Sequence, residues 1–381
     1  MTDLVPAEAF NPGEFLQDEL GERGWTQKEF AELTGLTPRL VSEIIGGKRG
    51  VTPEAAIRFS AALGTSAQFW MNLDTAYRLY ELRRTDPAPE RIAKEARLRE
   101  TFPVRELLRR GWVKETEDPE VLEARILRFY GIGALDDLRD FAHAAKRVEG
   151  AKGTALLQEA WLYRVRQVAE GIHVGPYSEA GLREALGRLS ALRSAPEEAR
   201  HVPRILSECG IRFAIVEPIP NSKIDGVCFW LANGESPVIG MSMRIDRIDN
   251  FWFVLRHEIE HVLRSDGKAE AIVDSELCDA GDGRQDERPE EAAANRAAAD
   301  FCVPAADMEN FMARVGPAVS EERILLFAER LEVHPGLVVG QVQWRLQRFN
   351  FLRRHLVRIR EIVLPGAMTD GFGRQLVEAL D

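Results

Sequence analysis

Residues 251–261, Phe-Trp-Phe-Val-Leu-Arg-His-Glu-Ile-Glu-His, constrain this chain more than any other stretch. The apolar run Phe251 to Leu255 covers more than one helical face, so a helix here is expected to be buried around much of its girth. On that helix His257 and His261 lie four residues apart, and their imidazoles project from one face about a turn apart. Two neutral imidazoles held that way can grip one divalent cation, with zinc the usual occupant. Glu258 stands beside the first of them, close enough to take a proton from water at such a cation. The plainer alternative is an amphipathic helix with two incidental histidines. A buried helix, however, must satisfy these polar groups, and a metal does so.

A catalytic zinc site takes three protein donors, so a third is sought downstream. Glu291, in the first turn of the next expected helix, is the best candidate. Asn295 falls four residues later on the same face, where it can orient a ligand from behind. Glu290 ranks second, because it points about 100° away and has no such partner. An oxyanion donor is also needed, and His334, His355, Arg244 or a tyrosine folding back from the helical regions are all open.

At 381 residues the chain suggests two or three domains of ordinary globular composition. The N-terminus lacks the basic and apolar segments of a signal peptide, and no apolar run reaches membrane-spanning length. A cytoplasmic protein with no membrane association is expected. Cys209, Cys228, Cys278 and Cys302 are widely spaced, which argues against a disulfide framework, and Cys302 reads as a core thiol rather than a ligand. A net charge of −11 argues against indiscriminate nucleic-acid binding but leaves room for a local basic patch.

The first 84 residues carry a series of helix starts. Thr26 and Glu29 form a capping box, Thr37-Pro38 and Thr52-Pro53 each pair an N-cap with an N1 proline, and Thr65 with Gln68 opens a longer helix. Short helices joined by a tight turn at Gly35, within a small bundle, form a helix-turn-helix pattern. The stretch Gly24 to Pro38, with Ile45-Gly46-Gly47-Lys48-Arg49 and Phe69-Trp70-Met71-Asn72-Leu73, resembles the XRE (phage-repressor) class in its HigA-type antitoxin branch. The resemblance implies that Pro38 to Ile45 is a recognition helix. Thr37, Arg39, Ser42 and Glu43 would face the major groove of operator DNA, and Gln27, Lys48 and Arg49 would contact phosphates. Acidic Glu43 stands against that reading, and a helical bundle used for protein contact is the alternative.

Residues 85–201 read as a helical linker or middle domain, with Asp86-Pro87-Ala88-Pro89 as a hinge and helices near Val121 to Tyr130, Ala155 to Ala169 and Glu179 to Leu192. From residue 202 to 381 the pattern is α+β. Strands are expected at Ile211 to Val216, Gly226 to Leu231 and Pro237 to Met243, ahead of the His-pair helix. A sheet edge beside such a helix can pair with an extended peptide. Asp274 to Glu287 is an acidic loop whose Asp and Glu residues could bind a cation, though a solvated loop is the better reading, and His334-Pro335-Gly336 reads as the turn between two late helices.

The His-pair stretch, followed by Glu291-Ala292-Ala293-Ala294-Asn295 and Phe301-Cys302-Val303-Pro304, resembles the ImmA/IrrE family of metallopeptidases. The tail Phe327 to Leu331 with His334 to Gln341 is similar to members fused behind a HigA-type module. This resemblance implies a zincin-like (gluzincin) fold in which His257, His261 and Glu291 bind zinc and Glu258 is the general base. Arg256, Glu260 and Ala297 depart from the family pattern, and Arg256 can pair with Glu260 on the surface. The expectation is thus a multidomain regulator, an all-α helix-turn-helix module fused to a zinc endopeptidase. Its substrate would be a protein, a repressor or antitoxin cut in a stress or phage response. A homodimer is expected, since such modules usually read paired half-sites. The alternatives are a non-proteolytic regulator or antitoxin whose metal site is sensory or structural, and a toxin–antitoxin partner acting by protein contact alone.

Overall fold

The computed structural model describes residues 9–134, 152–277, 288–316 and 318–374. The chain divides into two compact units, Met1–Arg97 and Leu98–Asp381. No helix among the described residues is long and apolar enough to cross a membrane.

The first unit begins with five helices, α1 (Pro12–Arg23), α2 (Gln27–Thr34), α3 (Pro38–Ile45), α4 (Pro53–Leu63) and α5 (Ala67–Thr85). Each start is capped by a side chain that accepts an otherwise unpaired amide: Asn11, Thr26, Thr37, Thr52 and Ser66 in turn. The Thr26–Glu29 capping box is present. The last cap falls one residue later than expected, on Ser66, because the Thr65 hydroxyl instead accepts the Trp70 indole N–H at 2.7 Å. Leu16, Phe30, Val41, Ile44, Phe59 and Trp70 are buried together. Each such side chain contributes ~1.5–3 kcal/mol on burial, against ~1 kcal/mol for a cap, so packing outweighs capping here. The two effects act on different questions: burial holds the helices together, and the caps decide where each one begins. Gly13 lets α1 cross α3 closely, since a Cβ there would lie 2.3 Å from the Ile44 carbonyl oxygen.

The second unit is built on a five-stranded sheet in the order β4-β2-β3-β1-β5, formed by β1 (Arg212–Val216), β2 (Ile224–Leu231), β3 (Ser236–Met241), β4 (Ile272–Ser275) and β5 (Met368–Asp370). Pairings of β1 with β3 and β5 are parallel; those of β2 with β3 and β4 are antiparallel. Successive residues feed two separate cores. Phe213, Ile215, Cys228, Trp230, Ile239 and Met241 pack with the His-pair helix (Ile248–Leu263). Ala214, Val216, Val227, Phe229 and Val238 pack with Trp161 and Val165 of helix Lys152–Glu170. A sheet covered on both faces needs apolar residues at every position, which is why these strands show little polar alternation.

Several expectations shift. In the stretch expected to be a middle domain, the described residues Leu98, Leu107, Ile126, Phe129, Tyr130 and Trp161 join the core on one face of the sheet. Helix Pro335–Leu346 starts at Pro335, with His334 as its N-cap accepting the Gly336 N–H at 3.0 Å, so His334-Pro335-Gly336 is a helix start rather than a turn. Ile272–Ser275 is a strand, so Asp274 does not lie in a solvated loop. Residues 278–287 of that loop, and Cys278, lie outside the described residues. Cys209, Cys228 and Cys302 are free and buried. Burial pushes the Cys302 thiol up to about 12, as for a core thiol.

Candidate functional site

The His-pair helix is buried along most of its circumference, from Ile248 and Phe251 to Val262. Helix Pro289–Cys302 lies against it and presents Glu291 from its first turn, where a carboxylate also complements the helix dipole. His257, His261, Asp274 and Glu291 converge, with one ligand atom from each lying within 4.8 Å of all the others. Glu291 Oε2 is 3.5 Å from His257 Nε2 and 3.8 Å from His261 Nε2. All four side chains are buried. Glu290 does not join them and faces Arg288 at 3.7 Å.

The tautomers follow from what stands behind each ring. His257 Nδ1 is 3.0 Å from Asn295 Oδ1, and His261 Nδ1 is 3.1 Å from Asp266 Oδ2. Both partners are acceptors, so each ring places its proton on Nδ1 and turns the Nε2 lone pair inward. The two Nε2 atoms are 3.0 Å apart. Two lone pairs at that distance repel each other unless a proton or a cation lies between them. Burial would lower the His257 imidazole, but Asp274 and Glu291 beside it raise it well above its ordinary value. Burial, then the charge on Asp274, push the Glu258 carboxyl well above the usual range. Asp274 and Glu291 beside two imidazoles place negative charge here that a divalent cation would balance. Both Glu258 oxygens and Asp274 Oδ2 are buried without a hydrogen-bond partner. This donor set, two nitrogens and two carboxylates with the rings locked from behind, fits zinc.

Glu258 is fully buried against β2. A Cβ at Gly226 would lie 2.0 Å from Glu258 Oε1, so the carboxylate occupies the space any side chain there would need. Arg256 pairs with Glu260 at 2.8 Å, but both are largely buried rather than on the surface. The candidate oxyanion donors are engaged elsewhere: His334 as a cap, His355 with Glu321 at 2.6 Å, and Arg244 with Asp225 at 3.0 Å. Sequence reasoning set Asp274 in a loop whose carboxylates could bind a cation but did not place it with the His pair, and it missed Asp266. The short apolar pair Ile272-Val273 ahead of Asp274 was the signal available for the first. A carboxylate five residues after His261, at the end of the same helix, was the signal for the second.

In the first unit, Gln27, Thr37, Arg39, Ser42, Lys48 and Arg49 are exposed on α2, α3 and the segments flanking α3, with Glu43 half-buried among them. Thr37 Oγ1 is the N-cap of α3, accepting the Leu40 N–H at 3.2 Å. Arg39 Nε donates to Glu43 at 2.7 Å, and Arg49 lies 3.7 Å from the same carboxylate. The Arg39 hydrogen bond holds the Glu43 carboxyl below its ordinary value. Glu43 thus bridges two arginines from the helix and from the segment after it.

Residues 16–70 match the helix-turn-helix family. Over 74 residues the chain is 38% identical to an uncharacterized HTH-type transcriptional regulator, YddM, of Escherichia coli (strain K12), covering 19% of this chain and 79% of that protein. Over 73 residues it is 41% identical to antitoxin HigA-1 of Vibrio cholerae serotype O1, covering 19% and 68%. Among solved structures, Pseudomonas aeruginosa antitoxin HigA with the higBA promoter is 32% identical over 22% of this chain and 90% of that one, with a TM-score of 0.21.

Proposed function

Because the chain belongs, through its N-terminal unit, to the helix-turn-helix family, we propose that it is a DNA-binding regulator whose second unit is a zinc-dependent endopeptidase. Its substrate class is a regulatory protein, a repressor or antitoxin, as the resemblance to ImmA/IrrE metallopeptidases suggests. Operator DNA is the ligand of the first unit, and a homodimer reading paired half-sites is its working form. The relatives named as a transcriptional regulator and an antitoxin support the first half of this reading. The second half rests on one observation: His257, His261 and Glu291 meet in a buried cluster, with Glu258 next in sequence to the first ligand and fully buried.

In this reading His257, His261 and Glu291 hold the metal, while Asn295 and Asp266 fix the two rings from behind. Zinc, when bound, supplies Lewis acidity that polarises a peptide carbonyl and acidifies water. Glu258 takes the proton from the attacking water and later delivers it to the leaving amine nitrogen. The absence of a side chain at Gly226 leaves the carboxylate its place.

Incubation of the full chain with the repressor or antitoxin proteins encoded beside it, with and without chelator, tests the activity. Glu258→Gln is expected to keep its zinc and lose cleavage; equal cleavage by parent and variant would contradict the mechanism. A second reading, a sensory or structural metal site in a non-proteolytic regulator, is favoured by the presence of Asp274 as a possible fourth donor. It predicts operator binding that responds to zinc, with no cleavage of any candidate.

A further inference from the structure

The cluster holds one donor more than a peptidase needs. Asp274 Oδ2 is 3.3 Å from His257 Nε2 and 3.8 Å from His261 Nε2, as close to the imidazole pair as Glu291 is. The residue is 5% exposed, and that oxygen has no hydrogen-bond partner. Leaving a buried acceptor unpaired costs ~1–3 kcal/mol, and more for a charged one, so an atom in this position is built to meet something. Four protein donors close a zinc site, whereas three leave a position for chemistry.

Asp274 arrives on an element that is easily removed. β4 is four residues long and, among the described residues, lies at the sheet edge paired with β2. Its other residues are only half-buried. Just past the ladder the Glu276 N–H donates to the Lys223 carbonyl at 3.1 Å, Lys223 pairs with Glu276 on the exposed side, and the Leu277 N–H donates to Asp225 at 2.8 Å. The register slips between Ile224–Ser275 and Gly226–Asp274, a bulge on β2 at Asp225. Bulges re-aim side chains beside functional sites, and here Asp274 pairs opposite Gly226, the residue against which Glu258 lies. β4 therefore occupies the β2 edge next to the general base, where an extended peptide would add as a strand.

We infer that Asp274 is a removable fourth metal donor and that β4 is a built-in occupant of the substrate edge, so that the site is closed until this strand withdraws. The inference rests on the zinc-peptidase reading. Detaching β4 frees one coordination position and the β2 edge together, which makes the strand a point of control for the activity. Short edge strands with few buried contacts belong to the low-stability end of a fold, where such openings are drawn from.

The full chain loaded with Co2+ tests this through its visible absorption spectrum, titrated with azide as a probe of an open coordination position. The parent spectrum is expected to be unmoved by azide. Asp274→Ala is expected to retain equimolar Co2+, to differ from the parent before azide is added, and to shift saturably with azide. Asp274→Asn, nearly isosteric, repeats the measurement should the alanine variant fold poorly. Azide perturbing the parent as strongly as the variants, variant spectra identical to the parent's, or loss of cobalt from both variants would each overturn the inference. Failure of the underlying reading shows differently: Co2+ binding that survives His257→Ala, or cleavage that survives Glu258→Gln.

Discussion

At the scale of single residues, the two imidazoles are held by what lies behind them. Asn295 and Asp266 each accept from an Nδ1, and this turns both Nε2 atoms inward to 3.0 Å. Removing such a partner typically costs ~10–100-fold in metal affinity, so Asn295→Ala should weaken zinc binding by about that factor in a chelator competition while leaving zinc bound; unchanged affinity would remove Asn295 from the site. The His pair was legible because helical spacing places it without knowledge of the fold, and Glu291 because it opens the next expected helix with Asn295 four residues on. Asp266 and Asp274 were not, since the first depends on where the helix ends and the second on a strand pairing across the sheet. In the first unit, Glu43 looked out of place on a surface meant for phosphates. Its ties to Arg39 and Arg49 give it a positioning role within that surface. If Arg49 contacts one phosphate, Arg49→Ala should lower the slope of log K against log salt by about 1, measured by titration with operator DNA at several salt concentrations; an unchanged slope would place Arg49 off the DNA.

At the scale of elements, the fold follows local rules wherever neighbours agree with them. Capping chemistry marked α2 to α4 in the sequence, and it slipped by one residue at α5 only because Trp70 claims the Thr65 hydroxyl. The first three strands were visible as apolar runs, but their both-faces burial hid which side met the His-pair helix. β4 was invisible: four residues beside an acidic stretch offer too little pattern, and only pairing with β2 makes them a strand. The fit of β2 against the His-pair helix is tight at Gly226, so Gly226→Ala should destabilise the second unit by ~1–3 kcal/mol, read from denaturant unfolding; a neutral effect would mean that Glu258 can move aside at no cost. Helix Lys152–Glu170 carries a further titratable feature. Burial lifts the Glu159 carboxyl from 4.5 to about 7. The folded state then holds a proton that the unfolded chain releases, so stability falls as pH rises from about 4.5 to about 7. Glu159→Gln should flatten that part of the stability–pH curve, and an unaltered slope would show that the carboxyl titrates normally.

At the scale of the whole molecule, one chain carries two units: a helix-turn-helix unit, and a second whose sheet and helices bring together four side chains that could hold a metal ion. Zinc that binds only the folded second unit should stabilise it by ~2.7 kcal/mol at a hundredfold excess over Kd. In calorimetry, chelation should therefore lower the unfolding temperature of that unit and leave the first unit's transition in place. That the two motifs fall in separate units was legible from the sequence, because they lie far apart along the chain. The packing of residues such as Leu98, Ile126 and Trp161 on that sheet was not, since amphipathic helices do not announce which sheet they cover. The most direct measurement is the zinc content of the purified full chain beside its His257→Ala and Glu291→Gln variants. The account predicts equimolar zinc in the parent, its loss in His257→Ala and much weaker retention in Glu291→Gln. A parent without zinc after growth in zinc-replete medium, or a His257→Ala variant that keeps it, would contradict the account.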